Sequence, residues 1–432
     1  MFQSSNLCHK FAGLRGLIVL LLWLVLPRPA SSYSFQTHEQ LIDLTWTDSI
    51  KPLLKRRFPN LTEAELLQAH AYAYGGSAIQ DLGYYPVANG FFSDLTHYVR
   101  SAEFVRSLFR HARNANELAF AIGALSHYVG DTIGHSDAIN PAVAIEFPKL
   151  KAKFGPSVNY GEGPHAHVRA EFAFDIDQIT LHHMAPSAYL RHVGLQIPYA
   201  LLSQAFSETY GSPLRAVLGG RRPIIRTYRF AIRSFLPLVA YAEAVLHRND
   251  FPPEPNTDAA RRFQAQLART EFETGWNQFR KKPGFRTYVL AGVIFVVPKI
   301  GRLSELSIRG PELSTLERYL ESVNRSTASM RNLLGHLDGT LRLPNRDLDT
   351  GDRVKPGGYR LTDETYAKLL NEITKSSSVQ ELPATLKENL LDYYADPNAP
   401  IATKKDRKRW ARVQNNLALL QGMKARPEPG ED

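Results

Sequence analysis

Three observations predict an all-α fold. Apolar residues recur at three- and four-residue intervals in the most strongly patterned stretch, residues 119–140, where Ile122, Leu125, Val129 and Ile133 form a stripe. Two helix-start signatures lie upstream, Thr37-x-x-Gln40 and Thr62-x-x-Glu65. Helical patterning returns over residues 186–247, 259–281, 362–374 and 386–394.

At 432 residues, with 44% hydrophobic and 22% charged content, the chain is globular in composition and long enough for one large domain or two of ordinary size. Its first 32 residues read as a secretory signal. Lys10 and Arg15 precede an apolar run over residues 17–26, and Ala30-Ser31-Ser32 supplies the small residues of a cleavage site after Ser32. The run is too short to span a bilayer. A secreted or periplasmic location is expected. The single cysteine, Cys8, falls inside this segment, so the mature chain has no disulfide and offers a metal only His, Asp and Glu. Loss of Lys10, Arg15 and Arg28 lowers the formal charge from +10 to +7, a basic balance that suits anionic partners or simply aids solubility.

After the cut, Thr37 and Gln40 predict a helix with His38 in its first turn. If Tyr33 is the mature terminus, its α-amino group, with an ordinary pKa of ~8, can lose its proton and bind zinc beside its own carbonyl. Read alone, His38 also fits a surface helical position. Thr62 and Glu65 open a second helix that runs towards Gly75-Gly76. Between Asp81 and His97, glycines and a proline predict a loop, with Tyr84, Tyr85, Phe91 and Phe92 either walling a pocket or packing on the core. His97 is expected to open the next helix, through Val99, Phe104, Val105 and Leu108.

Within 119–140 the polar residues are the unusual feature. His127, Asp131 and His135 are spaced i, i+4, i+8 and drift by only ~40° per step, so they share one helix face and present three potential metal ligands. Residues 149–164 are basic and then Gly-rich. They lead into His167 and Glu171, again four apart, with His165 a competitor for the first role.

Residues 186–247 are strongly apolar on one side and carry Arg221, Arg222, Arg226 and Arg229; residues 251–256 (FPPEPN) are the clearest linker. Residues 288–297 are ten apolar positions ended by Pro298, too short to span a membrane and expected as a buried helix, or alternatively an interfacial one. Residues 339–358 are loop-like, and the tail bears Lys404, Lys405, Arg407, Lys408 and Arg409 on a solvated face. The expected division is a signal over 1–32, a catalytic helical domain over 33–250 and a helical extension over 251–432. No internal repeat, P-loop, G-x-S-x-G or dinucleotide fingerprint is present in the sequence.

The ordered set of Tyr33, His38, Asp81, His97, His127-x3-Asp131-x3-His135 and His167-x3-Glu171 resembles the superfamily of zinc-dependent phospholipases C and single-strand-specific zinc nucleases. The resemblance covers roughly residues 33–177, and the string H-Y-V-G-D is its most specific piece. It implies a secreted all-helical enzyme with three clustered zinc ions. Asp81, His97, His127 and Asp131 would hold one ion, His135, His167 and Glu171 a second, and the Tyr33 terminus with His38 a third, bridged by Asp131. Three departures stand out. Tyr33 replaces the usual Trp, the gap from Asp131 to His135 is three residues rather than five, which makes Asp137 an alternative ligand, and Glu171 stands where the nucleases usually have Asp. The last favours phospholipase C.

Such a centre suits hydrolysis of a phosphodiester by water. Asp131 is placed to bridge ions, and Asp81 to orient or deprotonate the attacking water. The expected substrate is a phospholipid headgroup phosphodiester, with peripheral contact to a membrane surface and no required protein partner. The alternatives are a zinc-dependent nuclease or nucleotidase acting on nucleic acid, and a non-catalytic helical binding protein whose histidines are satisfied core groups.

Overall fold

The computed structural model describes residues 34–85, 88–219, 221–299, 301–337, 341–375 and 381–426. The signal segment and Tyr33 lie outside them. Helices dominate the described residues, and the one sheet among these is a parallel pair of short strands, Glu381–Pro383 and Lys424–Arg426. The all-α expectation holds.

The helices that frame the centre are α1 (Phe35–Thr45), α2 (Glu63–Ser77), α3 (Gly90–Tyr98), α4 (Ala115–Gly134) and α5 (Pro164–Thr180). Behind them lie α6 (Leu236–His247), α7 (Phe285–Val296) and α8 (Leu313–Gly335). Helix α4 is the spine. Every residue from Leu118 to Asp131 is buried, because helices pack on all of its sides.

Its closest neighbour is α2, and glycine sets the distance. A Cβ on Gly76 would lie 2.1 Å from the Phe120 carbonyl oxygen, and one on Gly123 would lie 2.2 Å from that of Ala73. Without those side chains the two backbones touch. Past Gly134, α4 continues as a π-helical turn, His135–Ile139, into a further helix, Asn140–Glu146. Pro141 has no N–H for the carbonyl four residues back, and its ring crowds that position. The wider turn accommodates it.

Two helix starts differ from expectation. The Thr62/Glu65 box forms as predicted, with Glu65 N–H donating to Thr62 Oγ1 at 3.2 Å and Thr62 N–H to Glu65 Oε2 at 2.9 Å. The Thr37/Gln40 box does not: α1 begins earlier, at Phe35, and Thr37 is buried. Its hydroxyl donates to Asp175 Oδ1 at 2.6 Å and the Gln40 amide to the His183 carbonyl at 2.9 Å, so distant partners displace the local cap.

The predicted loop between Asp81 and His97 is largely helical, since Asn89 caps α3 by accepting from Phe91 N–H at 3.1 Å. His97 therefore ends a helix instead of opening one. The next helix, Ser101–His111, starts only after Arg100 at φ 51°. Downstream, the helix expected over 259–281 stops sooner, as Asp258–Thr274, where Gly275 takes φ +71° as a C-terminal cap.

Helix α8 was not anticipated from the sequence. It buries Leu316, Tyr319, Leu320, Val323 and Met330 in the main apolar core, alongside Leu41 of α1 and Ile122 of α4. Residues on both sides of position 250 thus share one core. Helix α6 lies between α5, where Ala240 and Ala244 meet Ala173 and Ile176, and α7, where Val239 and Ala242 meet Leu290 and Ile294. The helical run Pro223–His247 is long and apolar enough to cross a membrane, and half of its most apolar window is buried inside the protein. The helix expected at 288–297, as a buried or alternatively an interfacial one, is found as α7, with only one face covered.

Candidate metal centre

Eight side chains from separate segments meet beside α4. His38 comes from α1, Asp81 from the short 3-10 helix Gln80–Tyr84, His97 from the last turn of α3, His127 and Asp131 from α4, His135 from the π turn, and His167 with Glu171 from α5. None is more than 2% exposed, so the group is closed to solvent.

They fall into three groups: His38, His127 and Asp131; Asp81, His97 and His127; and His135, His167 and Glu171. Within each, the potential ligand atoms all lie within 4.8 Å of one another. Asp131 joins the first two. Its Oδ1 is 3.2 Å from His38 Nε2, while its Oδ2 is 3.0 Å from His127 Nε2 and 3.4 Å from His97 Nε2. Asp81 Oδ1 lies 3.4 Å from the same His97 nitrogen, and the His38 and His127 rings stack at 4.2 Å.

The backbone orients the imidazoles. His127 Nδ1 is 2.9 Å from the Ser77 carbonyl, which the close α2–α4 contact brings into reach, and His97 Nδ1 is 2.8 Å from that of Ser93. His167 Nε2 is 2.6 Å from the Val158 carbonyl. A ring nitrogen that donates to a carbonyl leaves the other with a lone pair facing inward, the usual second-sphere arrangement at a metal.

The electrostatics agree with a cation at this place. Burial works against a charged His97, yet the hydrogen bonds it donates to Asp131 and Asp81 raise it well above the ordinary histidine range, and Asp131 likewise raises His127. Despite burial, His127, His38 and His97 hold Asp131 well below the usual carboxylate range. In the third group, burial lowers His167 to about 4 and pushes His135 well down, so both imidazoles are neutral donors. Burial also raises Glu171, helped by Asp81 and Asp131. Neither ring nitrogen of His135, nor Nδ1 of His167, nor Oε1 of Glu171 has a hydrogen-bond partner. Buried donors left unsatisfied are costly unless something else binds them. A zinc ion takes this N/O set, and these residues fit it.

Of the ordered set of nine that the sequence singled out, the eight side chains are brought together; Tyr33 lies outside the described residues. His165 points away, 3.0 Å from Glu305 on a half-exposed face. Asp137 pairs with Arg325 instead of joining the third group, and His135 takes that place. Of the aromatics expected either to wall a pocket or to pack on the core, Tyr84 lies 5.7 Å from the His97 ring, whereas Tyr85 packs on Tyr228.

The sequence reading missed Asp349. It sits in the loop expected over 339–358, far from the other donors in sequence, and its Oδ1 is 3.7 Å from His135 Nε2. Tyr98 and Tyr359 donate to its Oδ2 at 2.8 and 2.7 Å, and Asn140 donates to its carbonyl at 2.9 Å. Burial raises its carboxyl to about 6. The one local signal was an Asp-rich run inside a loop, which resembles any solvated turn.

Fold and site together define a class: an all-α protein whose core helix carries a buried, multi-part His/Asp/Glu metal centre. Residues 37–220 match the family model described as zinc dependent phospholipase C, and the match spans the whole of the candidate centre. No curated protein and no solved structure matches the chain.

Proposed function

We propose that the protein is a secreted or periplasmic phospholipase C that hydrolyses the headgroup phosphodiester of a phospholipid at a centre of three zinc ions. The observation that carries this reading is the convergence of three donor groups, two sharing His127, inside the stretch that matches the family.

Zinc bound there would supply Lewis acidity and a water acidic enough to attack near neutral pH. The chain's own residues do the rest. Asp131 directs its two oxygens towards different imidazoles, the geometry of a bridging carboxylate. His97, His127 and His167 are locked in orientation by backbone carbonyls. Asp81, close to His97 but on a short 3-10 helix, is the residue we assign to positioning or deprotonating the attacking water. Burial of the whole set keeps bulk water from competing with these interactions.

The test is metal analysis together with parallel assays on a choline-phospholipid analogue and on single-stranded nucleic acid. Two to three zinc ions per chain and cleavage of the lipid analogue are expected. In Asp131→Asn, zinc should be lost and activity should fall by more than about 100-fold. Less than one zinc per chain, or cleavage of nucleic acid alone, overturns the proposal.

A further inference from the structure

Helix α7 has an inverted surface. Its inner face, Thr287, Leu290, Ala291 and Ile294, is buried, and Leu290, Ala291 and Ile294 pack against α6. Its outer face should be polar in a helix that ends in water. Instead it presents Phe285 at 82% exposed, Tyr288 at 55%, Val289 at 39%, Phe295 at 76% and Val296 at 54%. Gly292 stands among them, with open space where a Cβ would be. At ~100° per residue these six positions fall within an arc of roughly 120°, so they form one continuous apolar stripe.

The segment that carries the stripe is basic. Between Glu273 and Glu305 the sequence has Arg280, Lys281, Lys282, Arg286, Lys299 and Arg302 and no acidic residue, and of these Arg280 is paired with Glu271. Lys281, Lys282 and Arg286 are exposed and sit at the N-terminal end of the helix. An exposed aromatic stripe with a basic margin is complementary to an anionic lipid surface, where the rings enter the acyl boundary and the cations meet phosphate. Twelve residues rise only ~18 Å, too short to span and suited to lying in the interface.

We infer that the outer face of α7 docks the protein on an anionic phospholipid bilayer. Helix α6 ties this face to α5, the helix bearing His167 and Glu171, so docking holds the metal centre at the surface where phospholipid is found. The inference deepens the phospholipase reading, but binding can be measured without turnover.

The experiment is flotation of the zinc-loaded protein with vesicles of phosphatidylcholine, with and without phosphatidylglycerol. It compares wild type, Phe285→Ser/Phe295→Ser and Lys281→Glu/Lys282→Glu, all at exposed positions. Wild type should partition onto the phosphatidylglycerol vesicles and weaken with salt. Each double variant should lose roughly tenfold or more of that partitioning. Turnover of a water-soluble phosphodiester should be unchanged in all three. Wild type that ignores both vesicle types, or a Phe285→Ser/Phe295→Ser protein that floats like wild type, overturns the inference. So does light scattering that finds a wild-type dimer converted to a monomer by the two serines, since a second copy would then cover the face. Absence of soluble-substrate turnover in wild type would instead sink the phospholipase reading and leave the binding result standing.

Discussion

Asp131 and Asp177 are both buried acids with opposite fates, because their neighbours differ. Three imidazoles surround Asp131 and keep it ionised. Asp177 has only the Gln178 amide at 2.9 Å, and burial raises it to about 7, with Glu254 adding to the effect. Between its unfolded value near ~4 and about 7, folded Asp177 holds a proton that the unfolded chain has lost. Stability from this group therefore falls as pH rises through that window. Asp177→Asn should remove the loss and gain on the order of 2 kcal/mol over wild type at pH 8, with no gain at pH 4, as read by urea unfolding. Asp349 permits a second test. Asp349→Asn keeps an acceptor for Tyr98 and Tyr359 but removes a negative charge beside His135. Zinc affinity should fall by ~10–100-fold, measured by competition with a chromophoric chelator at unchanged helicity. Equal affinity would reduce Asp349 to a loop anchor. His127, Asp131, His135, His167 and Glu171 could be picked out in sequence because a helix repeats its face every three to four residues. Asp349 could not, since no periodicity links a loop residue to a helix more than 200 positions away.

Among elements, the α2–α4 contact does most to place the centre. It sets Ser77 against His127, and it exists because Gly76 and Gly123 leave no side chain between the backbones. Gly123→Ala should force the helices apart, costing about 3 kcal/mol in urea unfolding and lowering zinc content in the same preparation. A stable variant with full metal content would show that the crossing tolerates a methyl group. Helix existence is legible in most stretches, but α1 starts before Thr37 and α3 ends at Tyr98 where the local signals place a start at His97. In both cases a cap or breaker signal was outweighed by a partner distant in sequence or by an overlooked N-cap, Asp175 for the first and Asn89 for the second.

For the whole molecule, residues 251–432 are structural partners of the site. Tyr319 of α8 stacks on Phe174 of α5 at 4.7 Å and shares a hydrogen bond with Thr37 of α1, while the loop bearing Asp349 meets His97 through Leu348 N–H at 3.2 Å. A chain ending at residue 250 should therefore lack cooperative unfolding and retain little zinc, as calorimetry and metal analysis would read. A folded, zinc-replete fragment would show instead that the remainder only covers a finished core. The sequence by itself determined the helical class and the order of eight candidate metal donors, because periodicity and ligand spacing are local properties of a chain. Only the tertiary structure decided that His135 and not Asp137 joins His167, that Asp349 arrives from the far end, and that α7 turns an apolar face outward. Each of those depends on which surfaces meet, and that is settled by packing between segments far apart in sequence.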